Sequence, residues 1–185
     1  AKGVEVTHKA ILYSTQARLK YYEDKHCKPT NLLPLTDPAF DATTGMVWWA
    51  LASGAKLVHI HPSERSNGKM IIEHHLSEHA VSHLIATPQI YMNCLHALMW
   101  VDQIKRDAIQ NTLKAVILGG EAWPPTLLAL HQQYLPRVRL FNEYGPTETT
   151  VGCMIHQYNI HQDIIGSVPI GVPVANTRIY CLNEQ

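Results

Sequence analysis

Short apolar runs that stop at glycine, proline or a polar turn, each followed by a segment of helical spacing, constrain this chain's fold more than any other feature. Residues 31–35, 57–61, 81–87, 115–118 and 138–142 are apolar, rich in β-formers and short, which reads as strands. Between them lie residues 43–53, 69–79, 89–101 and 124–134, where apolar positions recur on one helix face. Pro34 suits only a sheet edge, Thr43 or Thr44 is a candidate helix cap, and Pro124 and Pro125 are tolerable within a first helical turn. Residues 63–68 read as a loop and 103–110 as a polar connector or short helix. Strand–helix alternation predicts βαβ units: an α/β fold with a mostly parallel sheet and flanking helices. After Thr149 the chain turns β-rich, at 151–157 and again at 178–182.

Ligands of such sheets bind beyond the carboxyl ends of the strands. Phe40-Asp41, Ala86-Thr87, Gly119-Gly120 and residues 142–148 all fall at such ends or just after them, so their loops are expected to converge on one crevice. The last segment, Asn142-Glu143-Tyr144-Gly145-Pro146-Thr147-Glu148, carries the groups an ATP site needs. An amide can pair with the adenine edge and a ring can cover its face. A Gly-Pro turn brings backbone N–H groups near phosphate, a hydroxyl can donate to it, and a carboxylate can hold Mg²⁺. The same residues also suit a plain turn. Asp41 by itself fits a helix N-cap as well as it fits a partner for a cationic amine.

Taken together, these segments resemble the adenylation domains of nonribosomal peptide synthetases, members of the adenylate-forming enzymes. Residues 142–148 are similar to the adenylate-forming motif. Ala1-Lys2-Gly3-Val4-Glu5-Val6-Thr7-His8 resembles the end of the phosphate-loop motif, with a short strand before Thr-His. Ala39-Phe40-Asp41-Ala42 resembles the start of the substrate-binding helix, and Leu118-Gly119-Gly120-Glu121-Ala122 the glycine turn beside adenine. Residues 170–180 resemble the stretch that follows the nucleotide motif. The resemblance spans the whole chain and implies part of the large domain of an adenylate-forming enzyme. It lacks the upstream phosphate loop and the small C-terminal domain with its catalytic lysine, so that a fragment of a longer protein, inactive alone, is expected.

The resemblance also implies roles. Gly119, Gly120, Asn142, Tyr144, Gly145 and Thr147 would bind ATP, with Asn142 on the adenine amino group and Tyr144 on its ring. Glu148 would ligate Mg²⁺. Asp41 would pair with the α-ammonium of an amino acid, whose side chain would lie among Ala42, Gly45, Ala86, Ile117, Gly119, Glu143, Val151 and Gly152. Most of these are small. Glu143 is the one charged member, and strand alternation sends it to the face opposite Asn142. It would accept from an amide or a basic group, making asparagine or a basic amino acid the favoured substrate. The implied partners are the rest of the same domain, condensation domains, and a carrier protein whose phosphopantetheine thiol accepts the product. An acyl- or aryl-CoA ligase of the same superfamily, and a non-catalytic excised subdomain, are the alternatives.

Composition narrows the rest. Fifteen basic and fifteen acidic residues leave no footprint for nucleic acid or an anionic membrane. The apolar runs are far too short to span a bilayer, no targeting segment is visible, and a cytoplasmic protein is expected. Cys27, Cys94, Cys153 and Cys181 are scattered, without metal-knuckle or disulfide spacing. His75 and His79 have i, i+4 spacing but no third ligand, and read as a polar helix face.

Overall fold

A computed structural model describes residues 3–159 and 167–183. The apolar runs at 81–87, 115–118 and 138–142 become the centre of a sheet. They form β3 (His83–Ala86), β4 (Ala115–Gly119) and β5 (Arg139–Tyr144). All of β3 and most of β4 are buried, as parallel strands covered on both faces must be. β1 (Asn31–Pro34) and a two-residue β2 (Lys56–Leu57) extend the sheet on one side. β6 (Met154–Gln157) and β7 (Val172–Pro173) extend it on the other. The order is β2-β1-β3-β4-β5-β6-β7; the first five strands are parallel, and β6 and β7 join antiparallel.

Alternation along the strands splits the core in two. Leu33, Leu84, Val116, Leu118 and Leu140 face one side, against α5 (Pro88–Leu98) and α7 (Leu127–Tyr134). Leu32, Ile85, Ala115, Ile117 and Phe141 face the other, where Tyr22 of α1 (His8–Asp24) and Trp49 of α2 (Asp41–Ser53) complete a second cluster. The result is a sheet sandwiched between helices, an α/β fold.

Several local expectations are corrected. α1 has no counterpart among the predicted elements, and residues 3–7, where a short strand was expected, form none; Ala1 and Lys2 lie outside the described residues. Pro34 is in an interior strand, but β2 pairs only with Asn31 and Leu32, so Pro34 sits past its reach and needs no donor on that side. α2 begins at Asp41 with Phe40 as N-cap, and no side chain caps it. Thr43 instead donates its hydroxyl to the carbonyls of Thr36 and Asp37. The helix expected at 69–79 is broken into α3 (Gly68–Met70), a π-helical turn (Ile71–His75) and α4 (Leu76–Glu78). The loop expected at 63–68 begins within a 3₁₀ turn, Pro62–Glu64, and ends at the first residue of α3. The polar stretch after Asp102 is α6 (Gln103–Thr112), capped by the Asp102 carboxylate. Pro124 and Pro125 precede α7 instead of opening it. Residues 178–182 form no strand; β7 already holds the edge of β6.

Two histidines are packed inside. His83 Nε2 lies 2.9 Å from the Cys27 carbonyl. His131 Nδ1 lies 2.7 Å from the Tyr91 hydroxyl and its Nε2 2.9 Å from the Val138 carbonyl. Burial lowers each imidazole to about 4. Both fold neutral and would bind protons near 6.5 when unfolded, so their contribution is present above that pH and lost as pH falls towards 4. Each is expected to withdraw on the order of 3 kcal/mol across that window. Urea midpoints measured from pH 7 to 4 should therefore fall; a level midpoint contradicts this reading.

Candidate functional site

Because β1, β3, β4 and β5 run parallel, their carboxyl ends open on one edge. There the structure brings the expected loops together around a cavity of ≈ 480 Å³. Its wall includes Asp41, Ala42, Ala86, Ile117, Gly119 and Glu143, and, from the turns, Gly120, Gly145, Val151 and Gly152. Gly45 is the exception among the expected pocket residues. It lies on α2 against Val151, where an added Cβ would come within 2.8 Å of a Val151 methyl. Its small size seats Val151, which reaches the cavity in its place.

Asp41 occupies the first turn of α2 and does not cap it. A carboxylate there is favoured by the helix dipole. One of its oxygens, Oδ2, is buried without a hydrogen-bond partner. A buried, unsatisfied anion costs free energy that a cationic ligand recovers.

Glu143 faces the α1 side of the sheet, opposite Asn142, as alternation requires. It is not the lone carboxylate that the sequence suggests. Arg18 of α1 holds it through two contacts, Nη2–Oε2 at 2.6 Å and Nε–Oε1 at 3.3 Å, and the Tyr22 hydroxyl donates to Oε1 at 2.9 Å. The pair is nearly closed to solvent, with side chains 3% and 9% exposed. Burial works against charge on Arg18, but the Glu143 carboxylate outweighs it and the guanidinium is held charged. Burial, then the Glu143 charge, pushes the Tyr22 hydroxyl well up, so it remains a donor. Sequence reasoning missed Arg18 and Tyr22. Their only signal is helical spacing, since Ser14, Arg18 and Tyr22 fall at i, i+4, i+8. Ser14 completes the row by donating to the Thr150 carbonyl at 3.0 Å.

The expected nucleotide residues sit beside this cavity. Asn142 is buried and its amide nitrogen donates to the Pro169 carbonyl at 3.0 Å, which leaves its carbonyl oxygen to accept. The Tyr144 ring, at the end of β5, is 46% exposed, enough for a flat ligand to cover. Thr147 and the exposed Glu148 lie on a 3₁₀ turn, Thr147–Thr149. Thr150 and Val151 follow with φ of 66° and 69°. Positive φ is an outlier for β-branched residues and persists only where surroundings enforce it. Thr147, Thr150 and Val151 also border a second cavity of ≈ 530 Å³ with His8 and Trp48. Phe40, Asp41 and Val151 border both cavities. No group of three or more His, Cys, Asp or Glu able to hold a metal occurs among the described residues.

Removing one member of the buried pair strands the other. Arg18→Met is expected to destabilise the fold by on the order of 3–5 kcal/mol, and adding Glu143→Gln should return part of that loss. Urea denaturation of both single variants and the double variant measures the coupling; strictly additive losses contradict the pairing.

The chain matches the AMP-binding enzyme family over residues 1–185. It is 32% identical to a plipastatin synthase of Bacillus subtilis and 34% identical to bacitracin synthase 3 of Bacillus licheniformis. Both alignments cover 100% of this chain but only 5% and 3% of those proteins, so the chain spans a small part of the curated relatives it matches. The solved structure of the nonribosomal peptide synthetase FmoA3 in an AMPPNP-bound form superposes with a TM-score of 0.81 and 25% identity, over 95% of this chain and 18% of that one. The chain belongs to the AMP-binding enzyme family, and within it to the adenylation domains of nonribosomal peptide synthetases.

Proposed function

We propose that this chain forms the substrate pocket and part of the nucleotide site of a domain that activates an α-amino acid with ATP. The carboxylate oxygen of the amino acid attacks the α-phosphorus. The bond to the β-phosphate breaks, and pyrophosphate leaves with the electron pair as aminoacyl-AMP forms. The single observation that carries this reading is Asp41: a carboxylate on the wall of a half-open cavity at the strand ends, spent neither on a helix cap nor on an ion pair, with one oxygen buried and unpartnered. An α-ammonium is the group that satisfies it. Fixing the ammonium fixes the attacking carboxylate, which supplies the orientation such a reaction needs.

In this reading the side chain of the amino acid lies among Ala42, Ala86, Ile117, Val151 and Gly152, with Glu143 at its end. Gly119, Gly120 and Gly145 allow the nucleotide to approach the backbone. The free carbonyl of Asn142 accepts from the adenine amino group, the Tyr144 ring stacks on the base, and Thr147 donates to phosphate. Mg²⁺ characteristically takes one or two carboxylates and completes its shell with substrate phosphates and water, which suits the single exposed carboxylate of Glu148. The ion, when bound, would offset phosphate charge. The product would pass to the phosphopantetheine thiol of a carrier protein, in a cytoplasmic synthetase that also contains condensation domains. In support of a site outside the membrane, no described helix is long and apolar enough to cross one.

Two outcomes test the reading. In the adenylation domain that contains this chain, Asp41→Ala should lower ATP–pyrophosphate exchange with α-amino acids by roughly 100- to 1,000-fold, the equivalent of an uncompensated buried charge, while des-amino acids lose little. Equal losses for both would favour an acyl- or aryl-CoA ligase. The 185-residue polypeptide alone should show no exchange. Among the described residues, the one cation on the wall of the Asp41–Glu143 cavity, Arg65, is already paired with Asp37 at 3.1 Å, so positive charge for the triphosphate must come from elsewhere. Exchange by the pure polypeptide, abolished by Glu148→Ala, contradicts this.

A further inference from the structure

We propose that Arg18 is a positioning residue for substrate specificity: with Tyr22 it neutralises Glu143 and converts the end of the pocket from an anionic floor into a neutral one, so that the amino-acid side chain accepted there is uncharged. The inference rests on the amino-acid reading above and narrows the expectation from sequence, in which Glu143 favours a basic side chain as readily as an amide.

The charges decide it. The cavity is bordered by Asp41 and Glu143, with Arg18 directly behind the wall. The Arg65–Asp37 pair cancels itself. Glu121 also lines the cavity but is exposed, so its charge is screened by solvent. With the substrate's α-carboxylate directed at the α-phosphorus, an α-ammonium at Asp41 and Arg18 at Glu143 bring the remaining charge around the cavity to zero. A lysine or ornithine side chain would add a cation with no anion left to meet it, and an acidic side chain would add a surplus anion. A charge left unpaired in such a space carries a heavy desolvation penalty.

The hydrogen-bonding capacity points the same way. A carboxylate has roughly four acceptor sites. Glu143 uses three of them on Arg18 Nε, Arg18 Nη2 and the Tyr22 hydroxyl. Arg18 Nη1 is buried without a partner. On the cavity wall Glu143 keeps one acceptor site, which a neutral donor such as a primary amide complements. The geometry also needs Gly152: an added Cβ there would lie 3.0 Å from Glu143 Oε2 and 3.1 Å from Arg18 Nη2. The pair thus lies immediately beneath a wall position that has no side chain to cover it. Arg18 itself is held in place, its guanidinium carbon 5.8 Å from the Trp49 ring centroid.

The test is ATP–pyrophosphate exchange by the complete adenylation domain with asparagine, glutamine, leucine, lysine, ornithine, aspartate and glutamate. The wild-type domain should turn over a neutral amino acid best. Arg18→Met should shift the ratio of lysine or ornithine to the best neutral substrate by at least about tenfold, through the amino-acid KM, with the ATP KM unchanged. Arg18→Lys should restore much of the original ranking. Where Arg18→Met does not fold, Glu143→Gln leaves Arg18 charged and should move preference towards aspartate or glutamate. A wild-type preference for lysine or ornithine overturns the proposal, as does an unchanged ranking in the folded variants. Absence of exchange with every amino acid by the wild-type domain overturns instead the activation reading on which it rests.

Discussion

A carboxylate enclosed by protein must find a counter-charge, and for Glu143 that requirement reaches across the whole chain. Its partner, Arg18, is 125 residues away in sequence and on a different layer of the fold. The ion pair and the Tyr22 hydroxyl tie α1 to the end of β5 at the wall of the cavity that Glu143 lines. The same helix face donates from Ser14 to the Thr150 carbonyl, and so holds the strained turn that presents Val151. Fixing α1 thereby fixes both the floor of the cavity and one of its walls. A buried ion pair of this kind adds little net stability against an apolar replacement. What it adds here is a defined position and a defined charge.

The parallel sheet supplies the rest of the arrangement. Register brings Ala86 beside Leu118 and Gly119 beside Glu143, so the strand ends step along one edge and the loops that follow share one space. Side-chain alternation then sorts the chemistry. Asn142 turns to one face and bonds the chain at Pro169, while Glu143 turns to the other and meets α1. Two adjacent residues meet two different faces of the sheet because the strand has a period of two. Asp41 at the start of α2 borders both cavities, as do Phe40 and Val151.

The parts of this arrangement that depend on local pattern are legible in the sequence. β3, β4 and β5 are continuous buried apolar runs, and periodicity alone places the loops after them at strand ends. α1 is not legible, because its buried face includes Thr15 and Arg18 and so lacks the apolar stripe that marks a helix. Residues 178–182 look like a strand by composition but pair with no strand among the described residues, and β propensity without pairing decides little. Glu143 can be picked out as a charged member of a small-residue pocket. Its neutralisation cannot, since nothing near Arg18 in sequence marks it as a pocket residue. Gly45 reads as part of the pocket wall, and the contact it makes with Val151, where an added Cβ would come within 2.8 Å of a methyl, is not legible in the sequence.

The most direct measurement is a crystal structure of the complete adenylation domain with a non-hydrolysable aminoacyl-adenylate analogue. The α-ammonium is expected within hydrogen-bonding distance of Asp41 Oδ2, the adenine against the Tyr144 ring, and the side chain ending at an intact Arg18–Glu143 pair. An ammonium held elsewhere, with Asp41 Oδ2 still unpartnered, contradicts it.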